Sequence, residues 1–99
     1  MGYEVVFPSE RAEREFEKVL AKLPADYQSS IVEQVRSLSR NPRPEGKRHK
    51  KLKGEVVVAQ FIAQYRLRVG PYRVLYDIDD TRKKVILLKL AKRDEGTYS

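Results

Sequence analysis

The residues in this chain best suited to chemistry are arginines. Three of them fall in the stretch Tyr65-Arg66-Leu67-Arg68-Val69-Gly70-Pro71-Tyr72-Arg73-Val74-Leu75-Tyr76-Asp77-Ile78. From Tyr65 to Val69 the alternation is strict, which is the period of a half-buried strand. Tyr65, Leu67 and Val69 then face one way, and Arg66 and Arg68 face the other. Gly70-Pro71 breaks the strand, because glycine permits positive φ while proline fixes φ and has no donor. A second strand opens at Tyr72 and sets Arg73 opposite in sense to Tyr72, Val74, Tyr76 and Ile78. Three guanidiniums on one surface repel one another, and the arrangement gains only when an anion arrives.

Arg93 and Tyr98 near the C-terminal end extend the candidate site, with the basic run Lys47, Arg48, His49, Lys50, Lys51 and Lys53 nearby. Such a set suits cleavage of RNA without a metal. The ribose 2′-hydroxyl attacks the adjacent phosphate, and the pentacovalent species gains negative charge. Preorganised guanidiniums stabilise that added charge more than the ground state. An aromatic side chain can stack on an unpaired base and hold the phosphate in line. A passive RNA-binding sheet has the same arginine–tyrosine alternation, and Tyr98 also reads as a loose tail residue. No metal site is expected, with one histidine and carboxylates scattered through helices and turns. His49 sits among lysines, whose charge disfavours its protonation, and it reads as a charged-loop residue rather than a catalytic base. Gly54 and Gly70 are lone turn glycines, not a phosphate loop. No cofactor is expected.

These residues need a scaffold, and the rest of the chain supplies one. Tyr3 to Phe7 reads as a short strand closed by Pro8. Ser9 is a candidate N-cap, and Glu10 and Glu13 suit the positive end of a helix dipole. Ala12, Phe16, Val19, Leu20 and Leu23 recur at helical spacing, so a helix runs from about Glu10 to Lys22. Pro24 opens a second helix, with Tyr27, Ile31, Val35 and Leu38 on one face, ending near Arg40. Asn41-Pro42-Arg43-Pro44-Glu45-Gly46 is a cluster of breakers. The basic run that follows reads as a loop or irregular segment pinned by Leu52, with phosphate contact or plain solvation as its alternatives. Glu55 to Val69 is one long β-favouring stretch, too long for an ordinary strand, with a bulge, bend or loop expected near Gln60 to Gln64. Asp79-Asp80-Thr81-Arg82 is a polar turn. The last strand runs to Ala91, with Val85 to Leu88 apolar on both faces as in a central strand. The expected fold is α+β in the order β-α-α-β-β-β. A two-helix antiparallel hairpin covers one face of a mostly antiparallel four-stranded sheet, and the other face is left for function.

Composition sets the partner class. The 99 residues carry a net charge of +7, with 35% charged and 40% hydrophobic residues and no cysteine. Residues 1–35 are net −3 and residues 36–99 net +10. A polyanion partner for the basic part follows, nucleic acid ahead of simple solubility. Disulfide and cysteine-metal scaffolds are excluded. The apolar runs are too short to span a bilayer, and the start lacks a signal-peptide pattern, so one cytoplasmic domain over residues 1–99 is expected.

Leu52-Lys53-Gly54, Tyr65 to Gly70, Tyr72 to Ile78 and Lys92-Arg93-Asp94-Glu95-Gly96-Thr97-Tyr98 together resemble the RelE/ParE superfamily of type II toxin–antitoxin toxins, on its RelE-like side. The resemblance implies a ribosome-dependent endoribonuclease that inhibits translation by cutting messenger RNA. It also implies a RelB-like or other small antitoxin as partner, alongside the ribosome. The alternatives within the superfamily are a ParE-like DNA gyrase poison and a non-catalytic relative that binds RNA or antitoxin. By resemblance, Arg66 and Arg68 match strand positions that are often lysine. Arg73 matches a phosphate-contacting arginine, Arg93 a residue on the leaving-group side, and Tyr98 a base-stacking tyrosine. The bases in 47–53 match a segment that grips ribosomal RNA. Arginine keeps its proton where lysine can lose it, so Arg66 and Arg68 suit charge stabilisation rather than proton transfer. A side-chain acceptor for the 2′-hydroxyl proton would come from Tyr98, Asp94 or Glu95. The Glu55–Gln64 stretch is longer than the family pattern.

Overall fold

A computed structural model gives the architecture. It describes residues 2–44, 49–58 and 60–92, with residues 49 and 53–55 described by their backbone alone. The element order is β1 (Glu4–Val6), α1 (Glu10–Ala21), α2 (Ala25–Ser37), β2 (His49–Val58), β3 (Phe61–Val69), β4 (Tyr72–Asp79) and β5 (Lys84–Lys92). The strands form one sheet in the order β1-β5-β4-β3-β2, with β1 parallel to β5 and the other neighbours antiparallel.

The α+β class and the helical pair are as the pattern implies. Ser9 caps α1 by accepting from the Ala12 amide at 3.1 Å, and Glu10 and Glu13 occupy the first turn. α2 begins after Pro24 and ends at Ser37, with a turn carrying the chain past Arg40. Phe16, Ile31 and Leu38 from the helical side meet Leu67, Val74, Tyr76, Val85, Leu87 and Leu90 from the sheet. Phe7 packs edge-on against Phe16 with ring centroids 5.3 Å apart.

The sheet has five strands rather than four, because the second half is a four-strand meander. The break expected in the long stretch from Glu55 is a chain reversal after Val58, so Val56, Val57 and Val58 pair with Ala63, Ile62 and Phe61. The basic run departs from the expectation. His49, Lys50 and Lys51 are not a loop but the start of β2, paired with Leu67, Arg66 and Tyr65. Lysines have weak strand propensity alone, but β2 is the sheet's edge, where lysine is well tolerated. The ladder with β3 supplies the backbone hydrogen bonds that composition does not reveal. Between Lys51 and Val56 the register shifts, dividing β2 into a basic half and an apolar half.

The face away from the helices is not wholly open. By register with Tyr76 and Val85 on the core side, Leu75 and Ile86 point to that opposite face. Leu75 joins Ala63 and Leu88 in a second buried cluster, with Leu52, Val56, Val58, Phe61 and Ile86 packed against it.

Candidate functional site

The β3–β4 hairpin builds the site. Val69 pairs with Tyr72 across the two-residue loop Gly70-Pro71, and Gly70 has φ +58°, the handedness of a primed hairpin turn. A side chain on Gly70 would drive into the Tyr27 ring of α2, and Tyr27 meets Tyr72 edge-on at 5.2 Å. The helical layer thus grips the turn. That grip fixes the register in which Arg68 stands directly opposite Arg73. Directly opposed residues have Cβ atoms about 4.5–5.5 Å apart, and like charges in that relation destabilise a sheet. Both arginines are half-buried. The Arg68 Nε is buried with no hydrogen-bond partner among the described residues.

Arg66 lies on the same face, one step along β3, flanked by Lys50 on β2 and Leu75 on β4. It is only 7% exposed, and it is the buried charged residue among those described. Its guanidinium therefore lies within the protein surface rather than on it, unlike the open row that alternation alone implies. Lys50 and Lys51 are exposed, Lys50 on the arginine face and Lys51 paired with the core-side Tyr65. Lys53 belongs to β2 by its backbone. Lys47, Arg48, Arg93 and Tyr98 lie outside the described residues, so Arg66, Arg68, Arg73 and Lys50 are the predicted residues brought together here.

One further cation enters the row. Lys89 is exposed and pairs with Leu75, in line with Arg66 and Lys50. Its sequence signal is slight: a single lysine interrupting an apolar strand. The bulge between Leu75 and Tyr76 decides which face it joins.

The other side of the same hairpin carries a polar network that charge patterning did not reveal. Arg43, in the segment between α2 and β2, forks onto Asp80 with nitrogen–oxygen distances of 3.2 and 2.9 Å. Its Nε donates to the Tyr65 hydroxyl at 3.3 Å, and the guanidinium sits 5.4 Å from the centre of the Tyr65 ring. The Tyr3 hydroxyl donates to Asp80 Oδ1, the oxygen that also accepts from Arg43 Nη1, at 2.5 Å. Tyr76, fully buried and stacked on Tyr65 at 5.7 Å, donates to the Pro42 carbonyl at 2.8 Å. The Arg43 and Tyr3 hydrogen bonds hold the Asp80 carboxyl down at about 2. Burial pushes the Tyr76 phenol above its ordinary range. Asp80 is therefore a staple joining β1, the 41–44 segment and the β4–β5 turn, beyond the simple turn residue its context suggests.

Among the described residues no group of three or more histidines, cysteines or carboxylates stands together as a metal cluster, and no helix is long and apolar enough to cross a membrane.

The family model for the ParE toxin of type II toxin–antitoxin systems matches residues 6–96. The chain belongs to this toxin family. Solved relatives of the toxin share its fold over nearly the whole length. The RelE of an archaeal RelE–RelB complex from Pyrococcus horikoshii is 29% identical, with a TM-score of 0.72 over 97% of this chain and 100% of that one. A chain of a RelBE toxin–antitoxin complex from Mycobacterium tuberculosis is 31% identical, with a TM-score of 0.64 over 94% and 100%. A free mutant of the Escherichia coli toxin RelE, at 23% identity and a TM-score of 0.61 over 97% and 88%, shares the fold. No curated protein matches the sequence. The toxin is thus a RelE/ParE-type component of a type II toxin–antitoxin system, and an antitoxin is its partner class.

Proposed function

We propose that the toxin, a single domain over residues 1–99, is an endoribonuclease that cuts messenger RNA on the translating ribosome and so acts in the cytoplasm. The observation that carries this reading is the Arg68–Arg73 pair: two like charges held directly opposite, with the Arg68 Nε buried and unsatisfied. A buried donor without an acceptor costs free energy, and a bound anion would supply the acceptor that the Arg68 Nε lacks. A phosphate bridging the two guanidiniums would meet donors already fixed by the turn that Tyr27 grips. Attack by the 2′-hydroxyl forms a bond to phosphorus and breaks the bond to the 5′ oxygen, and the charge that builds on the phosphoryl oxygens is what Arg68 and Arg73 stabilise. Arg66, being buried, acts from beneath through its field. Arg93 serves the leaving-group side and Tyr98 orients the base. Lys47, Arg48, Lys50, Lys51 and Lys53 grip ribosomal RNA. No cofactor enters.

Mapping messenger RNA 5′ ends after a pulse of expression tests the reading. New ends inside codons of translated genes, absent with Arg73→Ala, are expected. The match to ParE toxins supports a second reading, a DNA gyrase poison that binds through the same basic face. Intact messages together with a DNA-damage response would select it.

A further inference from the structure

The three arginines of the site can stabilise charge, but none can hand over a proton. A guanidinium stays protonated throughout the physiological range. Cutting the chain releases a 5′ oxygen, and an alkoxide leaves slowly unless a proton reaches it as its bond breaks.

The pairing register puts a lysine beside the arginines. Arg73 stands opposite Ala91 on β5, and Leu75 stands opposite Lys89. Lys89 is therefore the diagonal neighbour of Arg73 on the same face. Diagonal positions lie about 7–8 Å apart, within reach of a long side chain. The position directly opposite Arg73 holds only the Ala91 methyl, so no bulky side chain crowds the approach. Lys89 is exposed, and its amine is open to a substrate lying on this face.

A bulge sets it there. Leu87 pairs with Tyr76 on the core side. Regular pairing would then place Leu88 opposite Leu75 and turn Lys89 inward against the buried Val74. Instead the register shifts between Leu75 and Tyr76, Leu88 is the extra residue, and Lys89 stands opposite Leu75. Such bulges re-aim a side chain and are frequent beside active sites. Lys50 also stands in the row, on the β2 side. It faces the Arg66 guanidinium directly, which repels an ammonium, whereas Lys89 faces the apolar Leu75.

We propose that Lys89 is the general acid of RNA cleavage, a catalytic residue beyond the arginines. The 2′ oxygen forms its bond to phosphorus, the bond from phosphorus to the 5′ oxygen breaks, and the Lys89 ammonium gives that oxygen a proton as it leaves. The products are a 2′,3′-cyclic phosphate and a 5′-hydroxyl. The 2′-hydroxyl proton passes to solvent, and the neutral amine takes a proton back from solvent. Arg68 and Arg73 hold the phosphoryl oxygens throughout. The inference rests on the nuclease reading.

Single-turnover cleavage on ribosomes programmed with a messenger that the parent cuts is the test. The messenger is made in two forms, with oxygen or with sulfur at the bridging 5′ position of the cut. Sulfur departs as a thiolate and needs no proton. Lys89→Ala and Lys89→Arg should both cut the oxygen form about 10²-fold more slowly, the lower end of what a positioned acid supplies. Both should cut the sulfur form at nearly the parental rate. Thermal unfolding should match the parent, since the side chain is exposed. Parental cutting of the oxygen form by Lys89→Arg would overturn the proposal, because charge alone would then suffice. So would a deficit of equal size on both forms, or sulfur rescue of Lys50→Ala in place of Lys89→Ala. A parent that cuts neither form removes the nuclease reading itself, a result distinct from a cutting parent whose Lys89 variants are unimpaired.

Discussion

The two sides of strand β3 solve opposite problems with the same residue classes. On the helix side, Tyr65 meets a cation, Arg43, whose fork is completed by Asp80 and whose neighbour Tyr76 donates to Pro42. Each charge there has its counter-charge and the buried hydroxyl has its acceptor. On the far side, Arg68 faces Arg73 with a nitrogen buried and unsatisfied. The first arrangement lowers the energy of the folded chain as it stands. The second leaves the buried Arg68 Nε without an acceptor, which a phosphate oxygen would supply. A sheet separates the two roles simply because successive side chains point to opposite faces.

The comparison breaks most sharply if substitutions on the two faces behave alike. Tyr76→Ala should cost about 3–5 kcal/mol, as large aromatic truncations in a core do, read as a lower urea midpoint. Arg73→Ala should leave that midpoint intact yet slow RNA cleavage about 10²–10³-fold, the typical effect of losing one preorganised donor to a developing anion. Gly70→Ala links the faces, because φ of +58° and the Tyr27 ring both oppose a side chain there. It should destabilise by roughly 1–3 kcal/mol and reduce activity as the arginine register loosens. Arg68→Leu should raise stability by up to about 1 kcal/mol through relief of the like-charge pair, while activity falls.

The smallest effect sharpens the helix side. Asp80 has its pKa lowered to about 2 by Arg43 and Tyr3. A depressed carboxylate contributes stability that is fully present above its unfolded value near 4 and is lost as pH falls through about 2. Acid unfolding of the parent should therefore show a component in that window, and Asp80→Asn should remove it.

Much of this was legible in the residues. The Ser9 cap, the apolar stripes of both helices, the Gly70-Pro71 turn and the opposite facing of Tyr65 and Arg66 are local features, each set by neighbours a few positions away. The resemblance carried the family. The misread stretch was His49 to Lys51, whose lysines read as a loop although they pair with β3, while the break expected near Gln60 to Gln64 is the reversal that follows Val58. Pairing with β3 decided that region, and a ladder between segments leaves little mark on the composition of either.

The sequence by itself determined which residues alternate, where helices start and stop, and that a basic, arginine-bearing sheet would result. Tertiary structure alone decided that Arg68 meets Arg73, that Arg66 is buried, that Lys89 joins the row and that Arg43 finds Asp80. The reason is register. Side-chain alternation is a property of one strand, whereas opposition is a property of two, set by the turn that Tyr27 grips and by bulges that each shift the pairing. A slip of one residue would move every side chain of a strand to the other face.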